Sequence, residues 1–325
     1  MPPTTMTAIR IHAFGEPEVL VPERVPVPEP GPGDVLIRVH AAGLNPPDWY
    51  ARRAFDNIPK ELRPVLPLPY LPGSDASGVV VAAGADVTEW RPGDEVFGLI
   101  RFPTSLGTGG KTYAEYATAP AGELARKPAS IDHVSAAAVP MAGLTAYQWL
   151  FDHIRLQKGR TVLVNGAAGG VGHFAVQLAK THDATVIGVA SGRHRAFLAG
   201  LGVNRFVDYT TESVSELVRD VDHVVDTVGG PTGFQFLSVV KPGGTISPVF
   251  WGEYHRDEAA GRGITFPSGQ VHSDGAQMAE LAALLDSGQV RAGIDSVFPL
   301  TEAAAAHRRA EQGHLQGKLV LRVVS

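Results

Sequence analysis

The sequence predicts an α/β protein of two domains. One is β-rich, formed by residues 1–127 and 273–325; the other is a doubly wound parallel-sheet domain formed by residues 128–272. Three observations predict it. Up to residue 127 the apolar runs are short and broken by glycine and proline. From Thr161 onward apolar runs alternate with helical patterns. At Val162–Lys180 a strand, a small-residue turn and a helix follow one another directly. Such alternation argues for a right-handed doubly wound sheet, and the broken runs for a closed or sandwiched β unit.

Taken in order, Thr7–Ala13, Val35–His40, Gly78–Ala82, Glu95–Gly98 and Tyr113–Ala119 read as strands. Pro22, Pro26, Pro28, Pro30 and Pro32 make an extended stretch unsuited to a helix or a central strand. Glu29–Asp34 and Arg91–Asp94 are turns. The texture changes after Lys127-Pro128. Ser135–Phe151 is apolar at helical spacing, interrupted at Pro140. Strands are expected at Val162–Asn165, Ala184–Ala190, Arg205–Val207, His223–Asp226 and Gly244–Pro248. Asp274–Ser287 is an amphipathic helix with Met278, Leu281, Leu284 and Leu285 on one side. A helix at Glu302–Arg309 precedes a final strand, Lys318–Val324, that returns to the first domain.

The turn Gly166-Ala167-Ala168-Gly169-Gly170-Val171-Gly172 carries the chemistry. Phosphates bind the free N–H groups and positive end of a helix N-terminus, and the backbone approaches them only where side chains are tiny. The dinucleotide spacing G-x-G-x-x-G stands here as Ala167-x-Gly169-x-x-Gly172, with alanine departing from the strict pattern. Ala167, Gly169, Gly170, Val171 and Gly172 are therefore candidate cofactor-binding residues. The bland alternative is an ordinary glycine-rich turn. After the next strand, where NAD sites keep an acidic residue for the ribose hydroxyl, come Ser191, Arg193 and Arg195. A hydroxyl and two guanidinium groups suit a 2′-phosphate, at about 1.5–3 kcal/mol per charge-assisted bond, and favour NADPH. The alternative is a solvated helix start.

The 325 residues, with formal net charge −5, suffice for two domains and a large core. Nothing in the charge suggests a polyanion-binding surface, so nucleic acid is not expected as the main partner. Cysteine is absent, which excludes disulfides, thiolate metal sites and cysteine nucleophiles. The twelve histidines show no ligand spacing, and no metal is expected. There is no membrane-length apolar run and no signal-type apolar core, so a soluble cytoplasmic protein is the default expectation.

The chain resembles, over essentially its whole length, the zinc-free quinone oxidoreductase (zeta-crystallin-like) family of the medium-chain dehydrogenase/reductase superfamily. The resemblance rests on Ala42–Arg52, Pro72–Val80, Trp90–Gly98, Tyr113–Tyr116, Ala142–Tyr147, the glycine turn, Lys241–Thr245 and Gly317–Leu321, in this order. It implies a GroES-like β domain, a Rossmann domain, and NADPH delivering hydride in the cleft between them. It also implies a homodimer joined by sheet edges, here Gly263–Phe266. By the same resemblance Asn45 and Tyr50 line the substrate pocket, either of them able to hydrogen-bond a carbonyl oxygen, and Thr145 lies near the nicotinamide. Ser191, Arg193, Arg195 and Tyr209 surround the 2′-phosphate, Val228 turns over the nicotinamide ribose, and Phe250 and Lys318 face the cleft, the alternative for Lys318 being a surface lysine. For Thr145 the alternative is a hydroxyl bonding its own helix. Asp48 and Arg52 are expected to pair with each other, and Arg52, Arg53, Lys60 and Arg63 to form a solvated face.

Zinc relatives in the superfamily place a cysteine near Asn45 and a His-Glu pair where Ser74-Asp75 stand, and both are missing. Without a metal to polarise an alcohol, the suitable acceptor is already electrophilic: a quinone or an α,β-unsaturated carbonyl. The proton comes from Tyr50 or from water. Alternatives are an enoyl-thioester reductase and a non-catalytic NADPH-binding protein of the crystallin or RNA-binding kind. Asn57–Tyr70, Phe102–Lys111 and Trp251–Gly263 shape the pocket, and Phe102–Gly110 is a candidate lid.

Overall fold

The computed structural model describes residues 2–56, 58–103 and 109–324. The candidate lid falls largely on residues 104–108, outside those described. The β-rich unit contains β1 (Thr5–Arg10), β2 (Val21–Pro26), β3 (Asp34–Gly43), β4 (Asp75–Ala83), β5 (Glu95–Leu99), β6 (Tyr116–Pro120) and β7 (Leu124–Arg126). The parallel unit contains β8 (Thr161–Asn165), β9 (Thr185–Ala190), β10 (Arg205–Asp208), β11 (Val221–Asp226) and β12 (Val240–Pro248). Then come β13 (Ile294–Pro299) and β14 (Lys318–Arg322). The α-helices are α1 (Pro46–Arg52), α2 (His133–Ala137), α3 (Pro140–Tyr147), α4 (Gly170–Thr181), α5 (Arg195–Gly200), α6 (Val214–Leu217), α7 (Arg256–Gly261), α8 (Gly275–Asp286) and α9 (Ala303–Glu311).

The first large sheet is built on β3. One edge of β3 pairs antiparallel with β4, from Val35↔Ala83 onward. The other edge takes two strands in succession, β6 beside Asp34–Arg38 and β14 beside Ala41–Gly43. Strands β5 and β7 extend the sheet beyond β4, and β13 lies parallel to β14. The proline-bearing strand β2 is confined to a two-stranded ribbon with β1, as a strand lacking amide donors requires.

The second sheet has five parallel strands in the order β10-β9-β8-β11-β12. The order reverses between β8 and β11, which opens a crevice at their carboxyl ends. Segment 263–266 touches the outer edge of β12 through one bridge, Thr245↔Thr265. The core of this unit is continuous with the first. Leu144, Phe174, Val176, Met278 and Leu281 of α3, α4 and α8 pack in one cluster with Phe97 and Leu99 of β5. The other face buries Val207, Val224, Phe236 and Ile246.

Strand β13 and helix α1 are absent from the expectations above. Pro46 and Pro47 open α1, where the missing amides find no intrahelical acceptor in any case, and Asp48 Oδ2 reaches back to accept from Asn45 N at 2.8 Å. Helix α3 begins at Pro140, which explains the interruption read there. It continues as a π-helical turn over Gln148–His153.

Candidate active site

The phosphate-type turn is held by sterics. A Cβ on Gly172 would stand 2.1 Å from Gly166 O, so the first turn of α4 can rest on the preceding backbone only with glycine there. Gly166 has φ +73, the left-handed region. The N-cap of α4 is Gly169, with no capping side chain, so the first amides of a twelve-residue helix face the crevice without a side-chain acceptor. A cavity of about 840 Å³ opens at this point, walled by both units.

Eight of the expected residues reach the cavity wall: Asn45, Gly169, Gly170, Val171, Ser191, Tyr209, Val228 and Lys318. The other seven stand back from it. Ala167 is buried under the turn, and Gly172 packs on Gly166. Thr145 is buried and donates to Met141 O at 2.6 Å, the bond to its own helix. Arg193 donates to His314 O at 2.7 Å, and the Arg195 guanidinium lies 4.4 Å from the centre of the Phe206 ring. Tyr50, half-buried in α1, has its ring centre 6.0 Å from that of Phe250, so these two meet each other across the units. Burial raises the Tyr50 hydroxyl pKa above its usual value.

Beside the turn lies a buried polar cluster around Asn45, with the Lys318 side chain against Gly170. Lys318 Nζ donates to Leu44 O at 2.5 Å and to Asn45 Oδ1. Asn45 Nδ2 donates to Asp75 Oδ2 at 2.8 Å. Asp75 Oδ1 in turn accepts from Met141 N at 2.9 Å, capping α3 from β4. Tyr113 OH donates to Asp48 Oδ2 at 3.1 Å. Burial pushes Asp48 up to about 7 and Asp75 up to about 6, with Lys318 opposing both, and burial lowers Lys318.

Two expectations are corrected here. Asp48 does not pair with Arg52: its carboxylate serves Asn45 N and Tyr113, while Arg52 binds Glu311 at 2.5 Å. Nor is Arg52 part of a solvated face, since its side chain is fully buried. A charged group so placed needs a partner, and Glu311 of α9 provides it.

Sequence reasoning also missed several residues. Asp226, ending β11, accepts from Val228 N and Gly229 N at 3.0 and 3.1 Å and from Tyr254 OH at 2.8 Å, which fixes the turn that carries Val228. Asp208, ending β10, bonds Thr210, which holds its carboxyl below the usual range. Glu212 lines the cavity and accepts from Asp208 N at 2.8 Å. The signal in each case is an acid at the carboxyl end of a parallel strand or just beyond it.

Comparison with known proteins places the chain. Residues 31–129 match the family model described as alcohol dehydrogenase GroES-like domain, and residues 201–321 the model described as zinc-binding dehydrogenase. The chain is 31% identical to the chloroplastic quinone-oxidoreductase homolog of Spinacia oleracea, over 97% of this chain and 98% of that one. It is also 31% identical to the mitochondrial NAD(P)H oxidoreductase RTN4IP1 of Mus musculus, over 99% and 90%. The solved quinone oxidoreductase from Coxiella burnetii superposes with a TM-score of 0.86 at 35% identity, over 98% and 99%.

Proposed function

The chain belongs to the quinone oxidoreductase family of the medium-chain dehydrogenase/reductase superfamily, with a GroES-like and a Rossmann domain and an NAD(P)H oxidoreductase activity, and we propose that it is an NADPH-dependent reductase of quinones or α,β-unsaturated carbonyls that works without zinc. The observation that carries the reading is the N-terminus of α4, uncapped by any side chain, facing a cavity that also holds Asn45 and, against Gly170, the buried Lys318. Gly169, Gly170 and Val171 would hold the pyrophosphate, Ser191 and Tyr209 the adenosine side, and Val228 the nicotinamide ribose. A bound nicotinamide would supply hydride. The protein's part is to hold the acceptor, exclude water and offer hydrogen bonds where charge grows.

The donors at the cleft do not suit a zinc ion. There is no cysteine in the chain, Asn45 Oδ1 is already taken by Lys318, and among the described residues no three His, Cys, Asp or Glu groups converge. The reading includes a division at residues 128 and 272; it is supported by the five parallel strands lying within Thr161–Pro248, while α8 packs on α3 as well as on β7. A homodimer through segment 263–266 and a cytoplasmic setting complete the reading; no described helix is long and apolar enough to cross a membrane.

A second reading concerns the cofactor. Arg193 and Arg195 favour NADPH, yet Glu212 lines the cavity near Ser191, with Asp208 bonded to it through its backbone, and these acids favour NADH. The test follows cofactor oxidation by absorbance, with NADPH and NADH in parallel and a small quinone and a small enone as acceptors. Faster turnover with NADPH supports the proposal. Preference for NADH overturns the arginine assignment. No turnover with any pair overturns the reductase reading.

A further inference from the structure

The carboxamide of Asn45 sits between a group that donates and a group that accepts. Lys318 Nζ donates to Oδ1, and the Asp75 carboxylate accepts from Nδ2 at 2.8 Å. An ammonium has no lone pair to offer and a carboxylate no proton, so the amide has one satisfied orientation. The reverse orientation would set N–H against ammonium and oxygen against carboxylate. Both neighbours are buried and fixed in turn: Lys318 by Leu44 O, Asp75 by Met141 N at 2.9 Å. An amide nitrogen carries two hydrogens. Asp75 takes one, and the second has no acceptor among the described residues, although Asn45 is only 2% exposed and lines the cavity.

We propose that Asp75 and Lys318 are positioning residues that lock the Asn45 carboxamide so that its second Nδ2–H is presented to the cavity as the hydrogen-bond donor for the acceptor's carbonyl oxygen. The inference rests on the reductase reading above. As the acceptor gains hydride at its electrophilic carbon, a π pair moves onto the carbonyl oxygen, and that oxygen carries negative charge until water protonates it. A donor fixed beforehand stabilises this charge without reorganising. Asp75 acts only through Asn45 and through the first turn of α3, and it does not touch the acceptor.

The test exchanges the two side chains, in the double variant Asn45→Asp with Asp75→Asn. Aspartate at 45 accepts from Lys318 and from the new amide at 75, whose oxygen still accepts from Met141 N. Net charge, volume and these hydrogen bonds are kept, while the spare amide N–H moves from the cavity side at 45 to buried position 75 and the carboxylate moves to 45. Melting temperature and cofactor affinity are expected to stay near wild type, while kcat falls about 100-fold, the loss typical of one removed oxyanion donor. The single variant Asn45→Ala, which removes the donor differently, should fall by a similar factor. Wild-type kcat in either variant overturns the inference.

Should the wild-type protein itself fail to turn over any acceptor, the reductase reading falls, and the orientation is read without turnover. In isotope-labelled protein the Asn45 side-chain NH₂ should give two resolved proton signals. The one bonded to Asp75 should exchange slowly with water, and the other fast. Equal exchange of both overturns the locked orientation.

Discussion

His173 Nε2 accepts a 3.0 Å hydrogen bond from the backbone N–H of Gly293, while its Nδ1 donates to Gly169 O at 2.9 Å. One ring thereby ties the cap of α4 to the segment that leads into β13. Both ring nitrogens are committed, and a proton on Nε2 would break the bond from Gly293. His173 is therefore held neutral, and burial lowers its pKa to about 4.

That relationship fixes a pH dependence. Between the ordinary histidine value of about 6.5 and about 4 the unfolded chain carries a proton on this residue and the folded chain does not. Stability from His173 is thus present above that window and is lost as pH falls through it, by up to about 3 kcal/mol. Asp48 and Asp75, raised to about 7 and about 6, act oppositely, since there the folded chain holds the extra protons. The wild-type acid limb should therefore be shallow. His173→Gln should cost more stability near neutrality than in mild acid. Urea unfolding at both pH values measures the difference, and equal costs would refute a neutral His173.

Gly172→Ala should disable the cofactor turn. Its Cβ would fall 2.1 Å from Gly166 O, and relieving that overlap moves the first turn of α4. A loss of about 1–3 kcal/mol is expected from overpacking. Thermal unfolding reads the stability and quenching of protein fluorescence reads NADPH binding; normal binding by the variant would contradict the geometry.

The adenosine end should respond to charge in both directions. Arg195→Ala is expected to weaken NADPH by about tenfold or more, one charge-assisted bond, while leaving NADH unchanged. Asp208→Asn should shift preference towards NADPH, because it removes a carboxylate near the incoming phosphate. The ratio of kcat/KM for the two cofactors is the measurement, and a ratio unmoved in both variants would rule out this end as the selector.

Tyr50→Phe separates two sources of the proton. A general acid in place contributes about 100-fold or more to rate. The Tyr50 hydroxyl has its pKa raised by burial, and its ring packs towards Phe250 outside the cavity wall. We expect kcat to fall less than about tenfold, with water as the donor. A fall of two orders of magnitude would return the role to Tyr50.

The parallel sheet was legible because burial and period act locally: each strand from β8 to β12 overlaps an apolar run visible in the chain. The glycine turn was legible for the same reason, since small residues alone let its backbone pack against the start of α4. Arg52 was misjudged because its partner, Glu311, lies 259 positions away, and no local pattern distinguishes a buried arginine from a solvated one. Lys318 was expected at the cleft, but its bond to Asn45 and that of Asp75 were not legible, because only the folded chain brings 45, 75 and 318 together. Helix α1 was within reach, because Asn-Pro-Pro-Asp is a helix-start pattern in its own right.

Strand β14 carries Lys318, pairs with the far end of β3, and follows Gly317, whose amide bonds Ala168 O at 2.8 Å. On the ribosome, then, the first sheet cannot close until every residue of the second has been synthesised, for the nascent chain must pass through the whole parallel unit before Val320 meets Gly43. Pairings so distant in sequence form slowly. The cavity wall at Gly317, Lys318 and Leu319 also arrives late, so a ligand of the cavity gains no contact there while the chain is unfinished. A premature stop near residue 290 would leave the five parallel strands intact in sequence and remove this wall of the cavity, a lesion that excess nucleotide should not fully rescue.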